Sequence, residues 1–142
     1  MRMSIQHFIT YNTDETEQVG FSLATKLAPG AVVALFGDLG AGKTAFVRGL
    51  AKGLGVTKHV CSPTYALVHD YGKLIHFDMY RIAGPGDLES TGWYDYLYQT
   101  SVLAVEWSEH ILKELPAEAV CVTITAGNND NERRICIDYP GS

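Results

Sequence analysis

The chain has 142 residues, of which 46% are hydrophobic and 19% charged, a composition typical of a globular protein with one substantial core. No apolar run approaches the roughly 18 residues that a membrane-spanning helix needs, and the N-terminus lacks the apolar core of a signal peptide, so we expect a cytoplasmic protein. The formal net charge is −5 and basic residues never exceed two in a row, which disfavours a chain that grips nucleic acid by itself.

The N-terminal half alternates predicted strands and helices. In chain order these are a strand over residues 2–11, a helix over 13–28, a strand over 31–36 and a helix over 43–54. Asn12 and Glu15 form a capping box at the start of the first helix. Apolar residues recur at helical spacing in both helices, and Gly55 suits the C-terminal cap of the second.

The C-terminal half favours strands. Its predicted elements are a β-hairpin of residues 65–70 and 73–82, a short helix over 85–91, an irregular aromatic segment to residue 100, a strand over 102–105, a short helix over 108–114, and strands over 118–125 and 133–139. The continuous apolar run 102–105 is typical of a strand buried on both faces. We therefore predict one three-layer α/β domain over residues 1–142, whose sheet mixes parallel and antiparallel pairs.

Residues 37–44 fit the phosphate-binding loop pattern, Gly-x4-Gly-Lys-Thr, without a mismatch. The glycines let backbone N–H groups approach an anion, and the helix that follows adds a favourable dipole. The pattern assigns the outer phosphates to Lys43 and a magnesium ligand to the Thr44 hydroxyl. Because a strand precedes the loop and a helix follows it, we predict a triphosphate site rather than a chance glycine-rich turn.

Hydrolysis of a triphosphate also needs a second carboxylate near the metal, and two predicted strand ends offer one. Asp78 lies in the hairpin, where a period of two puts His76 and Asp78 on one face. Glu106 follows the apolar run 102–105, at the end of a strand where ligands collect in open α/β sheets. Either carboxylate can hold magnesium, directly or through water. The alternative for each is a solvated turn residue.

For each of three further positions the sequence leaves two interpretations open, a role in the site and a structural role. Thr64 either contacts the γ-phosphate or its metal, as switch loops do, or belongs to a turn set by the preceding proline. Trp107 either packs in the core or joins the site beside Glu106. Arg133 either reaches the nucleotide from the last strand or lies on a solvated edge strand.

ATP is favoured over GTP, because the chain has no Asn-Lys-x-Asp sequence of the kind that reads guanine. A small-molecule kinase would normally carry a lid with arginines, whereas the segment after Arg81 is acidic and aromatic. The alternatives are then a compact ATPase that switches a partner protein, a small-molecule kinase, and a nucleotide sensor that does not hydrolyse.

Four motifs together resemble the TsaE (YjeE) ATPases, which act in biosynthesis of the N6-threonylcarbamoyladenosine (t6A) modification of tRNA. In order and spacing they are Gly37-Asp38-Leu39-Gly40-Ala41-Gly42-Lys43-Thr44, Ser62-Pro63-Thr64-Tyr65, His76-Phe77-Asp78-Met79-Tyr80-Arg81 and Val105-Glu106-Trp107. A smaller similarity is Asp87-Leu88-Glu89 followed by Gly92. The resemblance covers nearly the whole chain.

The resemblance implies a weak Mg²⁺-dependent ATPase whose site these motifs form. It implies that Lys43 contacts phosphates, that Thr44 and Glu106 bind magnesium, and that Asp78 lies near the metal and takes part in hydrolysis. The nucleotide contacts that it implies are Asp38, Leu39, Gly40, Ala41, Gly42, Lys43, Thr44, Ala45, Thr64, Trp107 and Arg133.

The resemblance also implies partners. Members of the family work with TsaD, the tRNA threonylcarbamoyl-transferase subunit, and with its partner TsaB. ATP binding and hydrolysis would regulate or reset that transferase between turnovers. The lack of a basic stripe agrees with tRNA being handled by the partners.

Overall fold

One mixed β-sheet runs through the computed structural model, which describes residues 4–37, 42–58, 60 and 68–140. Within these residues the sheet has seven strands: β1 (Ser4–Thr10), β2 (Val32–Phe36), β3 (Val68–Asp70), β4 (Leu74–Asp78), β5 (Val102–Glu106), β6 (Val120–Ala126) and β7 (Arg133–Tyr139). Their spatial order is β1-β7-β6-β2-β5-β4-β3. The first and last strands in this order, β1 and β3, are its edges.

Parallel pairs form the middle of the sheet and antiparallel pairs its sides. β2 runs parallel to both β5 and β6, and β5 runs parallel to β4. The β1–β7, β6–β7 and β3–β4 pairs are antiparallel. The predicted mixed sheet and the predicted hairpin are confirmed. All five residues of β5 are buried, as its apolar run predicts.

Helices cover both faces of the sheet. They are α1 (Thr13–Ala24), α2 (Lys43–Gly53), α3 (Pro85–Ser90), α4 (Trp93–Tyr96) and a 3₁₀ helix (Ser108–Glu114). α1 and α2 pack in one apolar cluster with Leu74 and Ala104, whereas α3, α4 and the 3₁₀ helix pack in another with Ile75 and Leu103. Since successive strand residues point to opposite faces, the two clusters lie on opposite sides and give the three predicted layers.

α1 and α2 touch backbone to backbone through two glycines. An ideal Cβ atom placed on Gly49 would lie 1.8 Å from the carbonyl oxygen of Glu17, and one placed on Gly20 would lie 2.2 Å from that of Phe46. No side chain fits at either position. This close approach fixes the position of α2 against α1, and with it the position of Gly42, the residue before α2.

Two elements end earlier than the sequence predicts. α1 ends at Ala24 rather than at residue 28, because the chain tightens there: the N–H groups of Lys26 and Leu27 bond to carbonyls three residues back. β4 ends at Asp78 rather than at residue 82. The Met79 N–H makes the last bond to β5, at the carbonyl of Glu106, and the chain then turns, with the Ile82 N–H bonded to the carbonyl of Met79. Residues 65–67 of the predicted hairpin lie outside the described part of the chain.

The aromatic segment, predicted to be irregular, contains the single helical turn α4. Gly92, at φ +82, starts this turn in the left-handed conformation that favours glycine. Trp93 is fully buried and meets the Phe77 ring edge to face, with centroids 5.3 Å apart. Burial of this large ring on the sheet orders a stretch that has no helical periodicity.

In the described residues, none of the helices has the length and apolar character required to cross a membrane.

Replacing Gly49 with alanine is expected to lower the free energy of unfolding by about 1–3 kcal/mol, because the added methyl forces the two helix backbones apart. Urea denaturation followed by circular dichroism measures this change. Gly86→Ala is the matched control, since Gly86 is also helical but has open space around its Cβ position. A Gly49→Ala protein as stable as the control would contradict the close contact of α1 and α2.

Candidate functional site

Three strand ends meet at one edge of the sheet, beside the start of α2. β2 ends at Phe36 and is followed by Gly37, while β5 ends at Glu106 and β4 at Asp78. Because these strands are parallel neighbours in the order β2-β5-β4, their carboxyl ends lie together. The phosphate loop and both predicted carboxylates are therefore at the same edge.

The structure describes the two ends of the phosphate loop. Gly42, at φ +98, has the left-handed conformation that glycine tolerates, and it immediately precedes α2. Lys43, Thr44 and Ala45 form the first turn of α2, where free N–H groups favour an anion. Five predicted contact residues lie outside the described part of the chain: Asp38, Leu39, Gly40, Ala41 and Thr64.

Lys43 is buried, with only 4% of its surface exposed. Its Nζ donates a hydrogen bond of 3.0 Å to the carbonyl oxygen of Gly37 and lies 4.1 Å from the centroid of the Trp107 ring. A buried ammonium needs such partners, because without them it loses its hydration uncompensated. Both contacts hold the charge at the mouth of the loop.

Glu106 forms a buried pair with a histidine of the neighbouring strand. Its Oε2 lies 2.5 Å from Nε2 of His76, and the two side chains are 6% and 0% exposed. The other ring nitrogen of His76, Nδ1, is buried and has no hydrogen-bond partner among the described residues. The pairing holds the Glu106 side chain in place, and none of the described residues bonds to its second carboxylate oxygen.

Asp78 stands directly opposite Glu106 in the parallel β4–β5 register. Burial raises the pKa of the Asp78 carboxyl above its ordinary value, and the nearby charge of Glu106 raises it further. The hydrogen bond from the Tyr80 N–H, 3.0 Å long, and the charges of His76 and Lys43 act in the opposite direction. The ionised Asp78 is thus electrostatically strained, as is common at functional sites.

This donor set fits magnesium. Within the described residues no three His, Cys, Asp or Glu side chains are grouped in a way that would hold a metal ion by themselves. Magnesium is normally bound through one or two carboxylates, with waters and substrate phosphates completing its shell. Two adjacent carboxylates whose mutual repulsion a divalent cation would relieve, and the hydroxyl of Thr44 at the helix start, meet that requirement.

The Trp107 ring, which lies over Nζ of Lys43, belongs to a cluster of three aromatic rings. Trp107, Tyr80 and His110 have ring centroids 4.8 to 6.0 Å apart. Trp107 adopts φ +59, a left-handed conformation that is rare for such a residue and that turns the chain from β5 into the 3₁₀ helix. Trp107 is therefore part of the site region and also packs against the second apolar cluster.

Arg133 and α1 flank the far side of the loop. An ideal Cβ placed on Gly42 would lie 3.7 Å from Nε of Arg133 and 3.8 Å from Cγ2 of Thr16. One guanidinium nitrogen of Arg133 donates to the carbonyls of Asp130 and Glu132, at 2.6 and 2.9 Å. The structure thus brings Arg133 beside the loop, while its predicted contact with the nucleotide stays a prediction.

Glu109 also lies at this edge, although no sequence pattern points to it. Oε2 of Glu109, in the 3₁₀ helix, accepts a 3.2 Å hydrogen bond from the N–H of Gly37. Glu109 belongs to none of the motifs that point to the site, and 72 residues separate it from Gly37. Only the adjacency of β2 and β5 brings the two together.

The chain is similar to proteins of one family along most of its length. The family described as "Threonylcarbamoyl adenosine biosynthesis protein TsaE" matches residues 10–135. The tRNA threonylcarbamoyladenosine biosynthesis protein TsaE of Bacillus subtilis is 37% identical over 137 residues, which cover 94% of this chain and 85% of that protein. The protein of the same name from Haemophilus influenzae is 47% identical over 97 residues, covering 66% and 61%.

A solved structure has the same fold. The crystal structure of YdiB from Bacillus subtilis superposes with a TM-score of 0.81 at 33% sequence identity, covering 99% of this chain and 89% of that one. The family match at residues 10–135 includes the loop, both strand-end carboxylates and Arg133.

Asp78→Asn is expected to raise the melting temperature of the nucleotide-free protein at neutral pH. The amide removes a charge that burial disfavours, and its oxygen can still accept the Tyr80 N–H. Because the pKa of Asp78 is higher in the folded than in the unfolded protein, ionised Asp78 destabilises the fold above the folded pKa. That cost disappears as the pH falls through the folded pKa towards the unfolded one.

Thermal melts of both proteins, from neutral pH down to the range where aspartates are protonated, measure this difference. Asp14→Asn, at an exposed position in the first turn of α1, is the control and should give no such gain. Equal melting temperatures of wild type and Asp78→Asn at neutral pH, or a gap that persists in acid, would contradict the strained carboxylate.

Proposed function

The chain belongs to the TsaE family of threonylcarbamoyl adenosine biosynthesis proteins, and on that basis we propose that it is a weak Mg²⁺-dependent ATPase. Its fold is that of a P-loop NTPase, which binds nucleotide at the loop between β2 and α2. The observation that carries the proposal is the meeting of Lys43, Asp78 and Glu106 at the carboxyl ends of three adjacent parallel strands. Phosphate binding and hydrolysis need this combination of charges.

Phosphate binding is assigned to the loop and the first turn of α2. Residues 38–41 and Gly42 would offer backbone N–H groups, and Thr44 and Ala45 continue this cradle into the helix. Lys43 would transfer its Nζ from the Gly37 carbonyl to the outer phosphates, a short movement because the ammonium already lies at the mouth of the loop. ATP rather than GTP is the proposed nucleotide, since no guanine-reading motif is present.

Magnesium is assigned to Thr44 and Glu106 as direct ligands and to Asp78 through a bound water. When bound, the ion would neutralise negative charge on the phosphates as the bond to the γ-phosphoryl group breaks. His76 holds Glu106 in place for this role through their 2.5 Å contact. Asp78, whose raised pKa makes it a stronger base than an exposed aspartate, would orient the attacking water.

Three further contacts complete the proposed nucleotide site. Trp107 would lie near the γ-phosphate, supported by its position over Nζ of Lys43. Arg133 would flank the base, supported by its position beside Gly42. Thr64, which precedes β3 in the chain, is proposed to contact the γ-phosphate region.

We propose that ATP is used to regulate or reset the TsaD–TsaB transferase in t6A modification of tRNA. The relatives' names place those proteins in tRNA threonylcarbamoyladenosine biosynthesis. The net charge of −5 supports contact with tRNA through the partners rather than directly. The single domain over residues 1–142 would then be a regulatory subunit of the complex, whose ATP cycle controls the transferase between turnovers.

Thr44→Ala and Asp78→Ala are expected to separate binding from hydrolysis. Loss of the Thr44 hydroxyl removes a magnesium ligand, so we expect nucleotide affinity to fall about tenfold with Mg²⁺ and to change little with EDTA. Loss of Asp78 removes a group that acts on the water, so we expect kcat to fall by about 10²-fold with nearly unchanged affinity. Titration with a fluorescent ATP analogue and phosphate-release kinetics measure the two quantities. Equal losses of affinity in both variants would contradict this division of roles.

Lys43→Ala is expected to abolish t6A formation in cells whose own copy of the gene has been deleted. The lysine supplies the charge for the outer phosphates, so ATP turnover should fall to background in vitro. Mass spectrometry of tRNA nucleosides and ATP turnover with and without the TsaD–TsaB pair are the measurements. Lys26→Ala, which removes an exposed lysine of the loop after α1, is the control. Full t6A levels with Lys43→Ala would overturn the proposed function.

A further inference from the structure

We propose that Glu109 is a positioning residue of the phosphate loop, acting through the backbone of Gly37. The inference rests on the proposed function, because it gives the loop the role of binding nucleotide. Glu109 is a partner of the loop that lies outside the four motifs, and its carboxylate oxygen accepts the Gly37 N–H at 3.2 Å. Its role is to hold the first peptide of the loop in the orientation that phosphate binding uses.

Gly37 is held from three directions by three elements. Glu109 accepts its N–H, and Nζ of Lys43 donates to its carbonyl oxygen at 3.0 Å. On the third side an ideal Cβ would lie 2.0 Å from the carbonyl oxygen of Ile124 in β6, so only glycine fits. The N–H and the carbonyl belong to the two peptide groups that flank the Gly37 Cα, and fixing both sets its φ of +131.

The backbone that carries Glu109 is itself anchored to the end of β5. Trp107 turns the chain with φ +59, and the buried Ser108 donates its hydroxyl to the carbonyl of Val105 at 2.8 Å. The next residue, His110, is fixed on both sides: its N–H bonds to the Trp107 carbonyl at 3.0 Å, and its Nδ1 lies 2.9 Å from the Met79 carbonyl oxygen. Glu109 therefore lies between two residues, Ser108 and His110, that hydrogen bonds tie to the ends of β5 and β4.

Glu109 matters most once the nucleotide is bound. Nζ of Lys43 would divide its three N–H donors between the phosphates and the Gly37 carbonyl, so bound ATP would weaken its hold on this end of the loop. The bond from Gly37 to Glu109 does not involve Lys43 and is kept. Because an N–H requires only an acceptor oxygen, glutamine can replace Glu109 in this role and alanine cannot.

Amide hydrogen exchange of Gly37, measured by NMR without nucleotide, tests the contact directly. In Glu109→Ala we expect the Gly37 amide to exchange about 3–10-fold faster, the change expected for loss of one exposed hydrogen bond, and in Glu109→Gln to stay close to wild type. The Gly55 amide, which bonds to the Lys52 carbonyl at the other end of α2, is the internal reference and should not change. Faster exchange of the Gly55 amide would reveal a general destabilisation of the fold.

Nucleotide affinity tests the role. Glu109→Ala should weaken binding of a fluorescent ATP analogue about 3–10-fold and raise KM for ATP by the same factor, while kcat at saturation is retained. Glu109→Gln should restore most of the affinity. Glu118→Ala removes an exposed carboxylate that follows the 3₁₀ helix and is the matched control for a lost negative charge.

The results separate this inference from the proposed function. Unchanged Gly37 exchange in Glu109→Ala would overturn the inference, and so would Glu109→Gln exchange as fast as that of Glu109→Ala. Exchange that accelerates with no loss of ATP affinity would overturn the positioning role. A wild-type protein that binds no ATP would overturn the proposed function, while the exchange measurement would still decide whether Glu109 holds Gly37.

Discussion

The parallel pairing of β2, β5 and β4 is the constraint on which the whole site depends. It puts Asp78 opposite Glu106 and brings both to the edge where β2 passes into the phosphate loop. Chain order does not give this arrangement, because β5 follows β4 in sequence but lies between β4 and β2 in space. The residues of three distant motifs become neighbours only because the strands are ordered in this way.

The site concentrates polar groups where burial disfavours them. Lys43, His76 and Glu106 are each at most 5% exposed, and each is held by a partner at the same edge. Asp78 is the exception, because burial and the neighbouring Glu106 disfavour its charged form. Such an arrangement gives up folding stability, and a bound cation and phosphates would offset the loss. The side chains whose burial is unfavourable are thus the ones that the proposed nucleotide site uses.

Contacts with the backbone set the geometry of the loop. Gly20 and Gly49 let α1 and α2 approach until their backbones touch, which places the first turn of α2 relative to the sheet. At the other end of the loop, Gly37 fits against Ile124 only because it has no side chain. The two described ends of the loop, Gly37 and the start of α2, are therefore each placed by close backbone packing.

Local sequence patterns were enough to predict the features that depend on neighbours along the chain. These are the phosphate-loop pattern, the strand and helix around it, the hairpin, the buried strand β5 and the two carboxylates at strand ends, because local spacing and periodicity encode them. Tertiary structure alone decided the pairing of His76 with Glu106, the burial of Lys43 against Trp107, the early ends of α1 and β4, and the contact of Glu109 with Gly37. These depend on strand order and on the packing of elements far apart in sequence, which no local pattern specifies.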